Sequence, residues 1–466
     1  MSEKLQANWD CGSNGMFIHA PGLGSGVRVI RSPTGSNLNW NPVKSGFVDH
    51  GGFDSRLSYT YSARGFTSSD ESKKRTNCPY TAGRFLNLSS IPSISEVLED
   101  DQSTSQGEYQ LVVPRYAAVN EYIHGYVSIL DGRWLHANTL SPPDGDTKGQ
   151  AISAWLFQSS SRILSVIARE RSSLGGSDFL VGYEITFDKP RPDGGKHKRV
   201  WVGPDRLADD TGRPIDGVTG TAAFLLTNFN EENLFHLLVP RMDEVSRESR
   251  IEHYTQEESI RGQWTHVATL QPPSDVPGTK ITAVTFVQSS QGKFEAVARV
   301  TPPNGDNYLV GYELDAVNNQ KDWSPPFRLV ADTASISVTG SPTIIESDFG
   351  EEDRFFHLLV PNKAVTVHYT QAVGSFSKGQ WKPFATLNPF QNLPVTAVSL
   401  VENQVGGFEA VTRVQRPQGD ELVIGYELKP GTTQWSDGVA LNADDGPILA
   451  GKPTPPVDEL PTNPIG

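Results

Sequence analysis

Two lines of sequence alternate along this chain. The first, Phe-His-Leu-Leu-Val-Pro, occurs at residues 235–240 and again at 356–361. Each copy is followed by His-Tyr-Thr-Gln (253–256, 368–371) and then by Gly-Gln-Trp (262–264, 379–381). A weaker copy runs through 109–114 and closes at Gly132-Arg-Trp134. The second line is Phe-Glu-Ala-Val-Ala-Arg at 294–299, then Leu-Val-Gly-Tyr-Glu-Leu at 309–314, then Trp323. It recurs at 408–413, 423–428 and Trp435, with an earlier version at 164–169, 180–184 and Trp201. The double unit spans about 120 residues and the single unit about 55 to 60, slightly longer than a usual propeller blade. A unit of this size cannot bury both of its faces alone, so neighbouring units must stack.

Each unit divides into four short strands set apart by turn residues. In the unit from Val338 these are 338–345, 356–361, 365–371 and 381–387. The equivalent first strands are 152–157, 218–225, 281–287 and 395–401. A small residue holds the second place in each (Ser153, Thr219, Thr282, Thr339, Thr396), which suits strands converging on a crowded axis. Blades packed face to face around an axis bury the recurrent Trp and Tyr side chains between them. The composition agrees, with 43 Gly, 33 Pro, 21 Phe, 13 Tyr and 9 Trp.

Six clear units lie between residues 107 and 446. The N-terminus supplies strands two to four of another, at 16–21, 27–31 and Trp40, and residues 447–453 supply its missing first strand. The expected fold is therefore all-β: one domain over 1–466, a seven-bladed β-propeller closed by N- and C-terminal strands. Residues 50–106 match neither line and read as an insertion over one face, or as a degenerate blade. Residues 454–466 form a Pro-rich tail.

The net charge of −14 argues against nucleic acid or an anionic membrane as partner. No run approaches the length of a transmembrane span. The first ten residues are polar, as in a cytosolic chain or a mature form whose signal has been removed. Cys11 and Cys78 form one disulfide or remain two thiols, and Asn87 heads a single glycosylation sequon. No nucleotide-binding loop, metal-ligand spacing or nucleophile elbow occurs, so neither cofactor nor metal is expected. His236 with His253, and His357 with His368, should be cross-strand neighbours, either as structural histidines or as a pH-sensitive pocket. Glu295/Arg299 and Glu409/Arg413 share a strand face and read as surface ion pairs.

The order of second strand, third strand and Gly-x-Trp resembles that of the fungal fucose-specific lectins, which are β-propellers. In that family an arginine and a glutamate on the second and third strands hold the sugar. The aligned positions here carry His236, His357 and Gln110, and His253, His368 and His124, so that pair is not kept. Within the same superfamily the chain resembles the lectin-like fungal hetero-Diels–Alderases of tropolonic sesquiterpenoid pathways. That resemblance implies a cofactor-independent pericyclase joining a tropolone-derived quinone methide to an apolar, humulene-type sesquiterpene. The alternative is a glycan-binding propeller of non-fucose specificity. A lectin gains avidity from repeated sites, whereas an enzyme needs one, built where the repeat is broken. Under the enzyme reading Arg31, Tyr61 and Arg64 polarise the tropolone oxygens. His19, Tyr59, Tyr80, Arg84, Trp155 and Lys452 line the site and hold the two partners in a near-attack arrangement.

Overall fold

The computed structural model describes residues 150–158, 164–171, 177–187, 199–227, 234–243, 248–257, 260–274, 277–315, 322–347, 354–402, 407–417, 421–443 and 446–450. Before these it describes 108–117, 121–128 and 134–141, and upstream of residue 108 only strand segments. The described chain is a β-propeller. Its one helical element is the 3-10 turn Phe376–Lys378, and among the described residues no helix is long and apolar enough to cross a membrane.

Five four-stranded antiparallel blades follow in series. Blade I comprises Gln150–Gln158, Leu164–Arg171, Phe179–Phe187 and Arg199–Arg206. Blade II comprises Ala223–Thr227, Leu234–Met242, Ser249–Gln256 and Gln263–Leu270. Blade III comprises Lys280–Gln288, Phe294–Thr301, Tyr308–Leu314 and Phe327–Arg328. Blade IV comprises Thr343–Ser347, Phe355–Asn362, Val365–Ala372 and Gln380–Leu387. Blade V comprises Val395–Glu402, Phe408–Gln415, Glu421–Leu428 and Val439–Ala440. A leading sheet of Ser93–Val97, Glu108–Ala117, Glu121–Ser128 and Trp134–Leu140 precedes them. It packs on blade I through Val112 and Ile123 and on blade V through Leu111, Val113 and Trp134, and so completes the circle.

The seven blades and the closure expected from the sequence are not found. Residues 446–450 are not the first strand of a blade. They belong to a link that recurs after every second blade. Leu207 N–H donates to Leu180 O and Ile215 N–H to Leu207 O. Leu329 and Ile336, then Leu441 and Ile448, repeat the same bonds. Each link also pairs in parallel with the fourth strand of the next sheet, through Ala208 with Gln263, Val330 with Gln380, and Ala443 with Trp134. The third of these pairings ties blade V to the leading sheet, leaving no place for another blade. The N-terminal strands Gly15–His19 and Arg28–Ser32 fall in two different small sheets instead of one. Ser93–Val97, within the stretch read as an insertion, is the first strand of the leading sheet.

The repeated aromatics fill the layers between blades. Trp155, Phe224, Phe235, Tyr254 and Trp264 lie between I and II. Phe408, Tyr426 and Trp435 lie between IV and V. Burying each such side chain contributes roughly 1.5–3 kcal/mol. The inner strands crowd the axis as the small residues suggest. A Cβ on Gly220 would meet Thr282 backbone atoms at 2.4 Å, and one on Gly340 would meet Thr396 O at 2.6 Å. Thr221 Oγ1 lies 3.2 Å from Ser341 Oγ, joining blades II and IV past the inner strand of blade III.

Candidate functional site

Blades II and IV share the first sequence line, so any difference between them marks what the repeat alone does not require. Their faces toward the following blade are alike. His236 lies opposite Thr255 and His253 opposite Leu238, so the two histidines sit two residues apart on a diagonal. Trp323 Nε1–H donates to His253 Nδ1 at 3.2 Å. The proton of His253 is therefore on Nε2, which donates to His236 Nδ1 at 2.9 Å. His236 Nε2 then faces Thr227 Oγ1 at 3.3 Å. His357 and His368 repeat the pair at 3.0 Å, packed on Phe384 and Phe408. Burial lowers His236 and His368 to about 3 and His253 well below the usual value. All three stay neutral near pH 7, which makes them structural and corrects the pH-sensitive pocket.

The faces toward the preceding blade differ. In blade II that face carries a charged network. Arg241 donates through Nε to Asp216 O (2.6 Å) and through Nη1 to Tyr254 Oη (2.7 Å). Tyr254 stacks edge-on with His266, with ring centroids 5.4 Å apart. His266 Nε2–H and the Thr269 hydroxyl both donate to Glu252 Oε2, each at 2.6 Å. Arg250 forms an ion pair with Glu252 Oε1 and reaches Asp243 at 2.7 Å. A bulge between His253 and Tyr254 sets Tyr254 opposite His266 and leaves Val267 45% exposed. Blade IV holds Asn362, Val365, Val367 and Pro383 where blade II holds Arg241, Arg250, Glu252 and His266.

Burial would raise Glu252, but hydrogen bonds from His266 and Thr269 and the nearby cations hold it below the usual carboxylate range. The hydrogen bond to Glu252 lifts His266 above the usual imidazole value against its partial burial. Burial raises Tyr254, with Arg241 opposing. The result is a set of planar donors and acceptors joined by charge-assisted hydrogen bonds at the blade I–II junction.

The solved structures most like this chain include an α-L-arabinofuranosidase from Fusarium graminearum in complex with an iminosugar inhibitor. It shares 11% identity, with 75% of this chain and 95% of that chain covered, at a TM-score of 0.52. An α-L-arabinanase of Penicillium chrysogenum complexed with arabinobiose shares 12% identity, with 72% and 90% covered, at a TM-score of 0.47. The likeness is one of fold. The arabinofuranosidase supports the β-propeller, and it is neither a fucose-specific lectin nor a Diels–Alderase. No protein-family model and no curated protein matches the chain.

Among the described residues, Trp155 of the site residues singled out from the sequence lies at the blade I–II junction. It is 1% exposed, in the core beneath the network. It stands opposite Ile167, where blades III and V carry Thr285 and Ser399 opposite Val297 and Val411. Arg31 pairs with Tyr61 in backbone register, and His19 ends a different sheet. Tyr59, Arg64, Tyr80, Arg84, Lys452, Cys11, Cys78 and Asn87 lie outside the described residues. Glu295 and Arg299 are not a surface ion pair. Glu295 is 1% exposed and raised well above the carboxylate range by burial. Arg299 donates to Thr282 Oγ1 (2.7 Å) and Thr339 O (3.0 Å), and burial lowers it to about 10. Arg413 pairs with Glu421 at 2.8 Å rather than with Glu409. Among the described residues no group of three His, Cys, Asp or Glu could hold a metal ion.

Proposed function

We propose that this chain is a glycan-binding β-propeller that takes one polyhydroxylated ligand between blades I and II. The observation that carries this reading is the Arg241–Tyr254–His266–Glu252 network, present in blade II and replaced in blade IV. Sugar hydroxyls donate and accept at once, and charge-assisted bonds from planar, pre-oriented groups suit them. A single site of this kind forgoes avidity, so its ligand is a small glycan. The neighbours solved with arabinobiose and with an iminosugar are in keeping with such a ligand. Calorimetric titration of a neutral and acidic sugar panel tests the reading. One site per chain, lost in Arg241→Gln and kept in Asn362→Ala, is expected. Several equal sites, or none, would overturn it.

A second reading is a hetero-Diels–Alderase joining a quinone methide to a humulene-type sesquiterpene. One observation favours it: Arg31 and Tyr61 face one another in register in a sheet that belongs to no blade. Incubation with a model quinone methide and humulene, followed by chiral chromatography, distinguishes it. A single enantiomer of adduct, lost in Tyr61→Phe, supports it; a racemic product at the uncatalysed rate sinks it.

A further inference from the structure

Blades I, III and V carry an arginine at one shared place near the end of the second strand. Arg169 lies opposite Leu180, Arg299 opposite Leu309 and Arg413 opposite Val423. Two of the three are neutralised inside their own blade. Arg169 Nε–H donates to Asp178 Oδ2 at 2.9 Å. Arg413 Nε lies 2.8 Å from Glu421 Oε2 and 3.0 Å from Thr396 Oγ1. The Thr396 hydroxyl donates to the other carboxylate oxygen, Glu421 Oε1, at 2.9 Å. Blade V therefore clamps a carboxylate between a guanidinium and a hydroxyl.

Blade III keeps both halves of that clamp and lacks the carboxylate. Thr282 and Thr396 occupy the same bulge in their first strands. Arg299 Nε–H donates to Thr282 Oγ1 at 2.7 Å and Nη1–H to Thr339 O at 3.0 Å, which leaves Nη2 without a hydrogen bond among the described residues. Asn307 stands where blade I has Asp178: Val218 N–H donates to Asp178 O, and Val338 N–H to Asn307 O. Ser337 likewise stands for Asp216, since the one bridges to Tyr308 and the other to Phe179. Asp306, exposed in the adjoining turn, forms no ion pair among the described residues. Burial lowers Arg299 to about 10, with no carboxylate opposing it as Asp178 opposes the lowering of Arg169. The guanidinium is still a cation at neutral pH, and it is partly open to solvent.

We propose that blade III binds a small organic acid in the place that Glu421 fills in blade V, with one carboxylate oxygen on the Arg299 guanidinium and the other on the Thr282 hydroxyl. The site lies where blade III meets blade IV, apart from the Arg241 network, and it does not depend on glycan binding there. A hydrogen bond between ionised partners is roughly twice as strong as a neutral one, and a half-desolvated cation without a counter-charge gains most from it. Arg299 is held by Thr282 and Thr339 before the acid arrives, so little side-chain freedom is lost on binding. The chain carries a net charge of −14, so the attraction is local and favours a monocarboxylate over a polyanion.

The test follows the arginine Nε–H signals of the full chain by NMR during titration with acetate, glucuronate, sulfate and sodium chloride, with Arg299→Gln assigning the Arg299 signal. Acetate should shift that signal saturably with a Kd of about 1 mM, and chloride at equal ionic strength should not. Asn307→Asp supplies an internal carboxylate and should weaken acetate by about tenfold or more. Glu421→Ala frees the matching position in blade V, so the Arg413 signal should begin to respond, with an affinity within about threefold of that at Arg299. Arg413→Gln should leave the Arg299 response as it was. A silent Arg299 signal, or one that chloride moves equally, would overturn the proposal. Acetate binding that survives Asn307→Asp would show that the acid does not take the place of Glu421, and sulfate binding more tightly than either carboxylate would show a tetrahedral anion instead; each result sinks the site as described. Glucuronate tighter than acetate would support a sugar acid as the occupant, and equal affinities would support a simple carboxylate.

Discussion

Blades II and IV are built from the same words and differ on one side only. Toward the following blade each presents two buried histidines against a Phe and a Trp. Toward the preceding blade, blade II presents Arg241, Glu252 and His266, whereas blade IV presents Asn362, Val367 and Pro383. The side held in common is the side that keeps the ring together. The side that departs is free to do something else, and repetition inside one chain separates the two.

The broadest test of what the two blades share is Trp264→Ala against Trp381→Ala. Both side chains are at most 2% exposed, and each loss should cost about 3–5 kcal/mol by chemical denaturation. Very unequal costs would break the equivalence of the two blades. Acid is the next lever. The folded histidines titrate below their unfolded value, so their contribution is complete above about pH 6.5 and is lost as pH falls toward 3, at up to about 1.4 kcal/mol per pH unit each. His368→Gln should flatten the fall of the urea midpoint between pH 6.5 and 4; an unchanged slope would locate the acid sensitivity elsewhere.

On the departing side, Glu252→Gln should destabilise by about 1–3 kcal/mol, since it removes one carboxylate from Arg250, which keeps Asp243, and weakens the contact to His266. His266, whose raised folded value makes its contribution complete at low pH and lost as pH rises through that value, should then titrate near the ordinary imidazole range by NMR. An unmoved His266 would show that the pair is not coupled. The smallest effect is expected of Val267→Phe, which imports the bulge residue Phe384 of blade IV onto an exposed position and should shift stability by no more than about 0.5 kcal/mol. It sharpens the comparison by showing that the bulge, and not the side chain on it, aims His266.

The strands were legible because each is bounded by turn residues and apolar on the buried positions; the expected first strands at 281–287 and 395–401 lie within Lys280–Gln288 and Val395–Glu402. The blade number was not. Residues 447–453 have the composition of an inner strand, and only the recurring Leu–Ile link, seen as Leu207/Ile215 and Leu329/Ile336, identifies them as a connector. That spacing is present in the sequence and could have been found by aligning the segments between repeats. The network at blade II was missed for a different reason. The residues both copies share, His253 and His368, stand out in the sequence and are buried in the packing. Subtracting one copy from the other exposes Arg241, Glu252 and His266 directly. Trp155, named for the site from the sequence, is a core residue of the same junction.

The Thr221–Ser341 contact carries a last consequence. Many wheels of blades leave a bore through the hub, and small molecules or solvent lodge there. Here two hydroxyls from non-adjacent inner strands come together, with Gly220 and Gly340 tightly enclosed beside them. A bulkier side chain in place of either hydroxyl would therefore wedge these two spokes apart.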